Sequence, residues 1–336
     1  MDKPRKAFAS AKQVAELAGV SRSAVSRTFT PGASVSEETR KRVISASDKL
    51  GYHVNHLARG LLRQSSGIVC LVAADSDAPY TSRLIRTLVH SLQQAGKVAM
   101  VLESSGPSES ADHALRQTLN YRADATVVLS GTPPQSLIRT CLDNGQRLIL
   151  INRADQFSGP HNISLDSRGA GRTAFRTLQD AGCRRFALVS SEAGTPSLMA
   201  RERAFVECAE EQGTEVAVTR NGRTSYEAGV LGARRLFSAG DPPDGVFCIT
   251  DLIACGFMDA ARHEFGLAIP EQLSVIGFDD IEQAGWASYR LTTFSPDVVA
   301  LAARVVELAT KAGETEENHR DLIEVPLVMR DTVRQS

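Results

Sequence analysis

Long apolar runs are missing from this 336-residue chain, and with them any stretch of the roughly twenty apolar residues that a membrane-spanning helix needs. The opening MDKPRKAFASAKQ lacks the apolar core of a secretory leader, so a cytoplasmic protein is expected. Cysteine is sparse. Cys70, Cys141, Cys183, Cys208, Cys248 and Cys255 form no CxxC pair and show no metal-ligand spacing. Most lie inside apolar runs such as GIVCLVAA and GVFCIT, which reads as small core residues of a reducing compartment. The seven histidines do not cluster, and no metal or cofactor is expected. Neither a GxSxG nor a Walker motif occurs. Gly169-Ala170-Gly171 lacks the third glycine of a dinucleotide-binding turn and the acid expected about twenty residues on.

What is present has the balance of a globular protein: 42% of residues are hydrophobic and 23% charged, so a packed fold is expected rather than disorder. Length alone calls for two or three compact units. The overall charge of -1 conceals an asymmetry. Up to Arg63, five lysines and seven arginines stand against two aspartates and three glutamates, which leaves the remainder of the chain acidic. A basic head on an acidic body suggests that the head meets a polyanion.

The head also carries helical periodicity. Ser10 and Gln13 form a capping box at a helix start, and Val14, Leu17 and Ala18 continue as an apolar stripe. Gly19 breaks that helix, Val20 turns inward, and Ser21 caps a second helix bearing Val25 and Phe29. Ser36 caps a third over 37–50, with Val43, Ile44 and Leu50 facing the core and Gly51 stopping it. Two short helices across a tight glycine turn make a helix-turn-helix. The outward face of the second carries Arg22, Ser23, Ala24, Ser26 and Arg27. Arginine can donate two hydrogen bonds to guanine, and serine can meet a base or a phosphate.

The run KQVAELAGVSRSAVSRTFTPGASVSEETRKRVISASDKLGYHVNHLARGL resembles the DNA-binding head of the LacI/GalR family of bacterial transcription regulators. Val14-Ala15, Ala18 to Ser21, Val25-Ser26-Arg27, Thr39-Arg40, Leu50-Gly51-Tyr52, Asn55 and Ala58-Arg59 carry the likeness. It implies base-reading positions at Arg22, Ser23 and Arg27. It also implies a hinge helix over 55–62 that folds on DNA, with Asn55 and Ala58 at the duplex and Leu61 wedged into the minor groove. Ala24 stands where the family usually has Thr, and Val54 where it has Pro.

Beyond Gly67, short apolar segments alternate with helical ones. GIVCLVAA, KVAMVLES, ADATVVLS, QRLILIN, RRFALVSS, DGVFCIT and LSVIGFDD read as buried parallel strands, with helices over 81–95, 111–121, 170–181, 200–212, 226–238 and 252–265. The expected fold class is α/β: an all-α helix-turn-helix head and a two-lobed, doubly wound, ligand-binding body. The resemblance extends here, to a body like periplasmic sugar-binding proteins, through Pro79-Tyr80, Ala123-Asp124-Ala125, Val275 to Asp280, Leu291-Thr292-Thr293 and Leu327 to Arg330. The organisation it implies is a DNA-binding domain over 1–54, a hinge and linker over 55–66, a first lobe of 67–165 with 292–322, and a second of 166–291 with 323–336. Crossings between lobes are placed near Leu165, Leu291 and Ile323.

The resemblance further implies an effector between the lobes, met by Arg201, Asp279 and Thr250. Tyr80 is a candidate aromatic wall, and Trp286 either another or a core or interface aromatic. Arginine supplies a fork of donors and aspartate supplies acceptors, the pair that orients a polar ligand. Thr224 replaces an aromatic found there in several members, which leaves the ligand unnamed, although a sugar or sugar derivative is the family's usual effector. The expected protein is a homodimeric repressor on pseudo-palindromic operator DNA, not an enzyme. An α/β enzyme such as a nucleotide-dependent oxidoreductase, or a stand-alone binding protein, remains the alternative. The chain's last residues show no leucine heptads, so a dimer rather than a coiled-coil tetramer is expected.

Overall fold

The computed structural model describes residues 8–30, 32–53, 65–103, 109–129, 133–152, 159–311 and 320–335. Two compact units divide the chain, Met1–Gly67 and Ile68–Ser336. Hinge positions 55–62, with Asn55, Ala58 and Leu61, and Val54 before them, lie outside the described residues.

The first unit is three helices: α1 (Ala11–Ala18), α2 (Arg22–Thr28) and α3 (Glu37–Leu50). The capping box at α1 is complete: the Gln13 N–H donates to Ser10 Oγ at 3.3 Å, and the Ser10 N–H donates to Gln13 Oε1 at 2.8 Å. Gly19 ends α1 at φ 63°, a left-handed value glycine adopts without Cβ strain. Ser21 and Ser36 cap α2 and α3 by accepting the Ala24 and Thr39 N–H groups. Arg40 donates from α3 to the Thr28 carbonyl at 2.9 Å and holds the end of α2. The core is Val14, Ala15, Ala18, Val25, Val43 and Ala46. Leu17, Ile44 and Leu50 differ from expectation, at 53%, 44% and 37% exposed. The inward face of α1 is Val14, Ala15 and Ala18, and Leu17, about 100° round the helix from Ala18, falls on its outer side.

The second unit is built on two six-stranded sheets. In the first, the order is β11-β5-β4-β3-β1-β2, from β1 (Ile68–Ala73), β2 (Val98–Glu103), β3 (Ala125–Val128), β4 (Arg147–Ile151), β5 (His161–Leu165) and β11 (Arg320–Ile323). All of its pairings are parallel. Its helices are α4 (Pro79–Gln94), α5 (Glu109–Asn120), α6 (Gln135–Asp143) and α11 (Val298–Thr310). The second sheet runs β12-β10-β9-β8-β6-β7, from β6 (Phe186–Ser190), β7 (Val216–Arg220), β8 (Gly245–Cys248), β9 (Ser274–Phe278), β10 (Thr292–Phe294) and β12 (Leu327–Val328). It is parallel except for β12, and α7 (Ser167–Asp180), α8 (Pro196–Glu210), α9 (Tyr226–Phe237) and α10 (Asp251–His263) belong to it.

Three crossings join the lobes. β10 pairs with β9, Thr292 opposite Ile276 and Phe294 opposite Phe278, so residues 292–294 belong to the second lobe and the middle crossing follows Phe294. That corrects the first-lobe assignment of 292–322 and the crossing near Leu291: β9 would otherwise present an unpaired edge inside the lobe. The crossings are bonded to one another, with the Asp166 N–H donating to Ile323 O at 2.8 Å and the Ser295 N–H to Pro326 O at 2.9 Å. A second correction concerns β2, which reads as a buried strand but lies at a sheet edge, with Val98 and Val101 58% and 43% exposed. All six cysteines are free and buried. Among the described residues no helix is long and apolar enough to cross a membrane, and no group of three His, Cys, Asp or Glu could hold a metal ion.

Candidate functional site

On α2 the helical wheel separates two faces. Ala24, Val25 and Thr28 point inward, whereas Arg22, Ser23, Ser26 and Arg27 are exposed. Ala24 was expected on the outward face. It is buried because it shares a face with Thr28 one turn on, whose hydroxyl donates back to the Ala24 carbonyl at 2.9 Å. The remaining four form a continuous polar strip. Ser23 Oγ lies 2.8 Å from Ser21 Oγ, so the cap also steadies one member of the strip. Two arginine forks and two hydroxyls on one short exposed helix suit the major groove, where guanine offers O6 and N7 to a bidentate arginine.

In the second unit the candidate residues gather where strands end. Tyr80 stands in the first turn of α4, after β1. Arg201 lies on α8, after β6; Thr250 follows β8 and Asp279 follows β9. Carboxyl ends of parallel strands are where open α/β sheets bind ligands. Arg201 is buried at 4% exposure, stacked 3.5 Å above the Phe278 ring, and donates through Nη1 to the Ile249 carbonyl at 2.7 Å. Its Nε has no hydrogen-bond partner, and neither has the buried Tyr80 hydroxyl. Orphaned polar atoms this deep cost about 1–3 kcal/mol each, a debt that a bound polar ligand would remove.

The electrostatics join the same residues. Burial pushes the Asp279 carboxyl up to about 8, against the pull of Arg201, while Asp251 pushes the same way as burial and Arg83 opposes. Burial also lifts the Tyr80 hydroxyl, with Asp279 adding to it, and depresses the Arg201 guanidinium, which Asp279 and Tyr80 partly offset. Thr250 is adjacent in sequence to the carbonyl that Arg201 holds, but its own hydroxyl caps α10 by accepting the Ile253 N–H at 3.4 Å. Thr224 is bonded to Ser191 at 2.7 Å between their hydroxyls. Trp286 is 49% exposed, which removes it from the core.

Two residues here were missed by sequence reasoning. Asp251 is fully buried and accepts from the Thr293 hydroxyl at 2.5 Å and the Ile281 N–H at 3.0 Å, with its carboxyl pushed by burial up to about 7. Arg83 on α4 donates to the carbonyls of Asp279 and Asp280 at 2.7 and 2.6 Å, reaching from the first lobe to the second. Its position, i+3 from Tyr80, was the available signal, since residues so spaced share a helix face. Arg223 forms an exposed ion pair with Asp75, also between lobes.

A helix-turn-helix head and two parallel-sheet lobes crossed three times define a DNA-binding protein with a ligand-sensing body. Family comparison is specific. Residues 10–55 match the model for bacterial regulatory proteins of the lacI family, and residues 163–333 match the periplasmic binding protein-like domain. The chain belongs to the LacI family; it is a DNA-binding transcription regulator with an effector-binding domain, and not an enzyme. The transcriptional regulator GalR of Escherichia coli K12 is 27% identical over 328 residues, covering 97% of this chain and 94% of that one. The transcriptional repressor PurR of Vibrio vulnificus is 27% identical over 338 residues, covering 98% and 99%. The fold is similar to that of the Lac repressor dimer bound to operator and an anti-inducer, at a TM-score of 0.86 and 22% identity over 98% of this chain and all of that one.

Proposed function

We propose that this chain is a homodimeric repressor whose affinity for a pseudo-palindromic operator is set by a small polar effector held between its lobes by Tyr80, Arg201 and Asp279. The observation that carries the pocket is the meeting of a buried arginine fork, a buried carboxyl and an unpartnered phenol hydroxyl at the carboxyl ends of the strands. Thr250 joins them through its place beside Ile249. A carbohydrate or sugar derivative suits this mixture of donors and acceptors over an aromatic ring; among structural neighbours, a CelR–cellobiose complex aligns at 25% identity.

The DNA contacts in this reading are Arg22, Ser23, Ser26 and Arg27, with Asn55, Ala58 and the wedge Leu61 assigned on sequence grounds alone. Dimerisation supplies the second half-site. The exposed apolar residues of the β2 edge, Val98 and Val101, support a second copy packing there. The relative solved on operator is itself described as a dimer.

The test is a binding titration on the operator selected in vitro from random duplexes, together with its single-base variants. Arg27→Ala is expected to cost about 1–3 kcal/mol on the selected site and to relax preference at one base pair. Lys12→Ala, on α1, is expected to weaken all sequences alike. A uniform loss across variants for Arg27→Ala would remove it from base reading.

A further inference from the structure

The backbone around Asp279 is unusual. Asp279 has φ 116° and Asp280 φ 48°, both in the region that non-glycine residues rarely adopt. Strained pairs of this kind persist only where the surroundings hold them. Here the holding groups come from three places. Arg83, on the first lobe, donates Nη2 to the Asp279 carbonyl at 2.7 Å and Nη1 to the Asp280 carbonyl at 2.6 Å. Arg330, after β12, makes a 2.6 Å ion pair with the Asp280 carboxylate. Ser295, at the middle crossing, donates to that same carboxylate at 2.8 Å.

The turn is therefore a junction. Its first residue presents a carboxyl to the candidate pocket, and its carbonyls are held by the opposite lobe. Its second residue is anchored to a crossing strand. We propose that Arg83 is the positioning residue that carries the pocket's state to the first lobe: its guanidinium fork latches the Asp279–Asp280 turn, and release of the fork frees the lobes to reorient. This rests on the pocket reading above. The geometry suits a fork, because the two terminal nitrogens of a planar guanidinium reach adjacent carbonyls at 2.6 and 2.7 Å, whereas an ammonium would have to serve both from one nitrogen. The Arg83 charge also lies 5.9 Å from the centre of the Tyr80 ring, so a ligand stacked on Tyr80 would reach the latch directly.

The experiment needs no identified effector. Spin labels are placed on Arg139→Cys in α6 and Glu210→Cys in α8, both exposed, while the six native cysteines are buried. Pulsed electron–electron distances then read the lobes in the full-length protein. Arg83→Met is expected to add a second, longer distance population, with Arg83→Lys showing a smaller share of it. Because coupled sites shift each other reciprocally, Arg83→Met should also change affinity for the in-vitro-selected operator roughly fivefold or more, although Arg83 lies on the effector-binding body rather than in the DNA-binding head. Asp279→Asn replaces the pocket's carboxyl by an amide and keeps the backbone carbonyl that Arg83 holds, so the latch is retained and the distance distribution should stay unimodal. Whether Asp279→Asn loses a metabolite-induced rise in melting temperature judges the pocket reading separately. A lower melting temperature for Arg83→Met and Arg83→Lys with one unchanged distance population and unchanged operator affinity would overturn the latch.

Discussion

Gly171 on α7 faces the backbone of α8 where that helix carries Arg201. A Cβ at Gly171 would sit 2.4 Å from the Arg201 carbonyl oxygen and 3.1 Å from both Ala204 Cβ and the Phe205 nitrogen. An ordinary carbon–oxygen contact is about 3.3 Å, so Gly171→Ala must drive α8 back by about 1 Å. Backbone cannot swing aside as a side chain would. The same retreat stretches the 2.7 Å bond from Arg201 to the Ile249 carbonyl beyond hydrogen-bond range. Overpacking costs roughly 1–3 kcal/mol, and loss of a charge-assisted bond about 1.5–3 kcal/mol. Alanine's better helix propensity returns about 1 kcal/mol, leaving a net loss of about 1.5–5 kcal/mol. At roughly 2–4 °C per kcal/mol for a domain of this size, the melting temperature should fall by about 3–20 °C. Scanning calorimetry measures it, with Gly285→Ala as control, since a Cβ there meets nothing within 4 Å. If Gly171→Ala melts with the control, the reasoning that ties Arg201 to this helix contact is wrong.

Two further outcomes follow from the same geometry. Burial raises Asp279 to about 8, so the folded protein binds that proton more tightly than the unfolded chain, where the carboxyl titrates near 3.9. Stability is therefore lost as pH rises from about 4 to about 8, at up to roughly 1.4 kcal/mol per pH unit from this group. Asp251, raised to about 7, adds to the slope over the lower part of the range. Asp279→Asn should flatten the curve of melting temperature against pH and gain on wild type toward pH 8; parallel curves would count against a buried carboxyl. At the α9–α10 contact the glycines are reciprocal: a Cβ on Gly256 would lie within 2.0 Å of the Tyr226 carbonyl, and one on Gly229 would lie 2.0 Å from that of Ile253. Gly256→Ala should lower the urea midpoint by the equivalent of about 3 kcal/mol. The double variant with Gly229→Ala should cost less than the sum, because one separation of the helices relieves both clashes.

The head was largely legible because its signals are local. A capping box, two glycines at helix ends and serine caps act within a few residues of where they are read, and the structure carries the bonds they imply. Where the reading failed, the deciding fact was three-dimensional. Leu17 follows the apolar spacing of α1 but falls outside the face that packs, and is exposed. The strand β2 has the composition of a buried strand, but its place at the sheet edge leaves Val98 and Val101 exposed. The strand β5 drew no reading at all, since its His161 and Asn162 look unlike a buried strand although both are buried. The three-residue β10 was assigned to the wrong lobe because a strand so short has no pattern of its own; its place is set by pairing with β9 and with β12.

At the pocket the division is sharper. Arg201 and Asp279 were found through the motifs around them, and both are buried where the strands of the second sheet end. Arg83 was missed for a physical reason. It acts on peptide carbonyls, which every residue has, so no complementary side chain in the sequence marks its target. Asp280 was similarly silent, since its part depends on a positive φ, on an arginine fifty residues later and on a serine at a crossing. Groups that touch a ligand are constrained in chemical type and therefore show in the residues. Groups that move a lobe are constrained in position, and a position is a property of the whole fold. Regulation of a LacI-family chain therefore cannot be transferred from its pocket motif alone: two members can share Arg201 and Asp279 at matching positions, and one that lacks an arginine equivalent to Arg83 must hold its Asp279 turn, and pass on its ligand's effect, by other contacts.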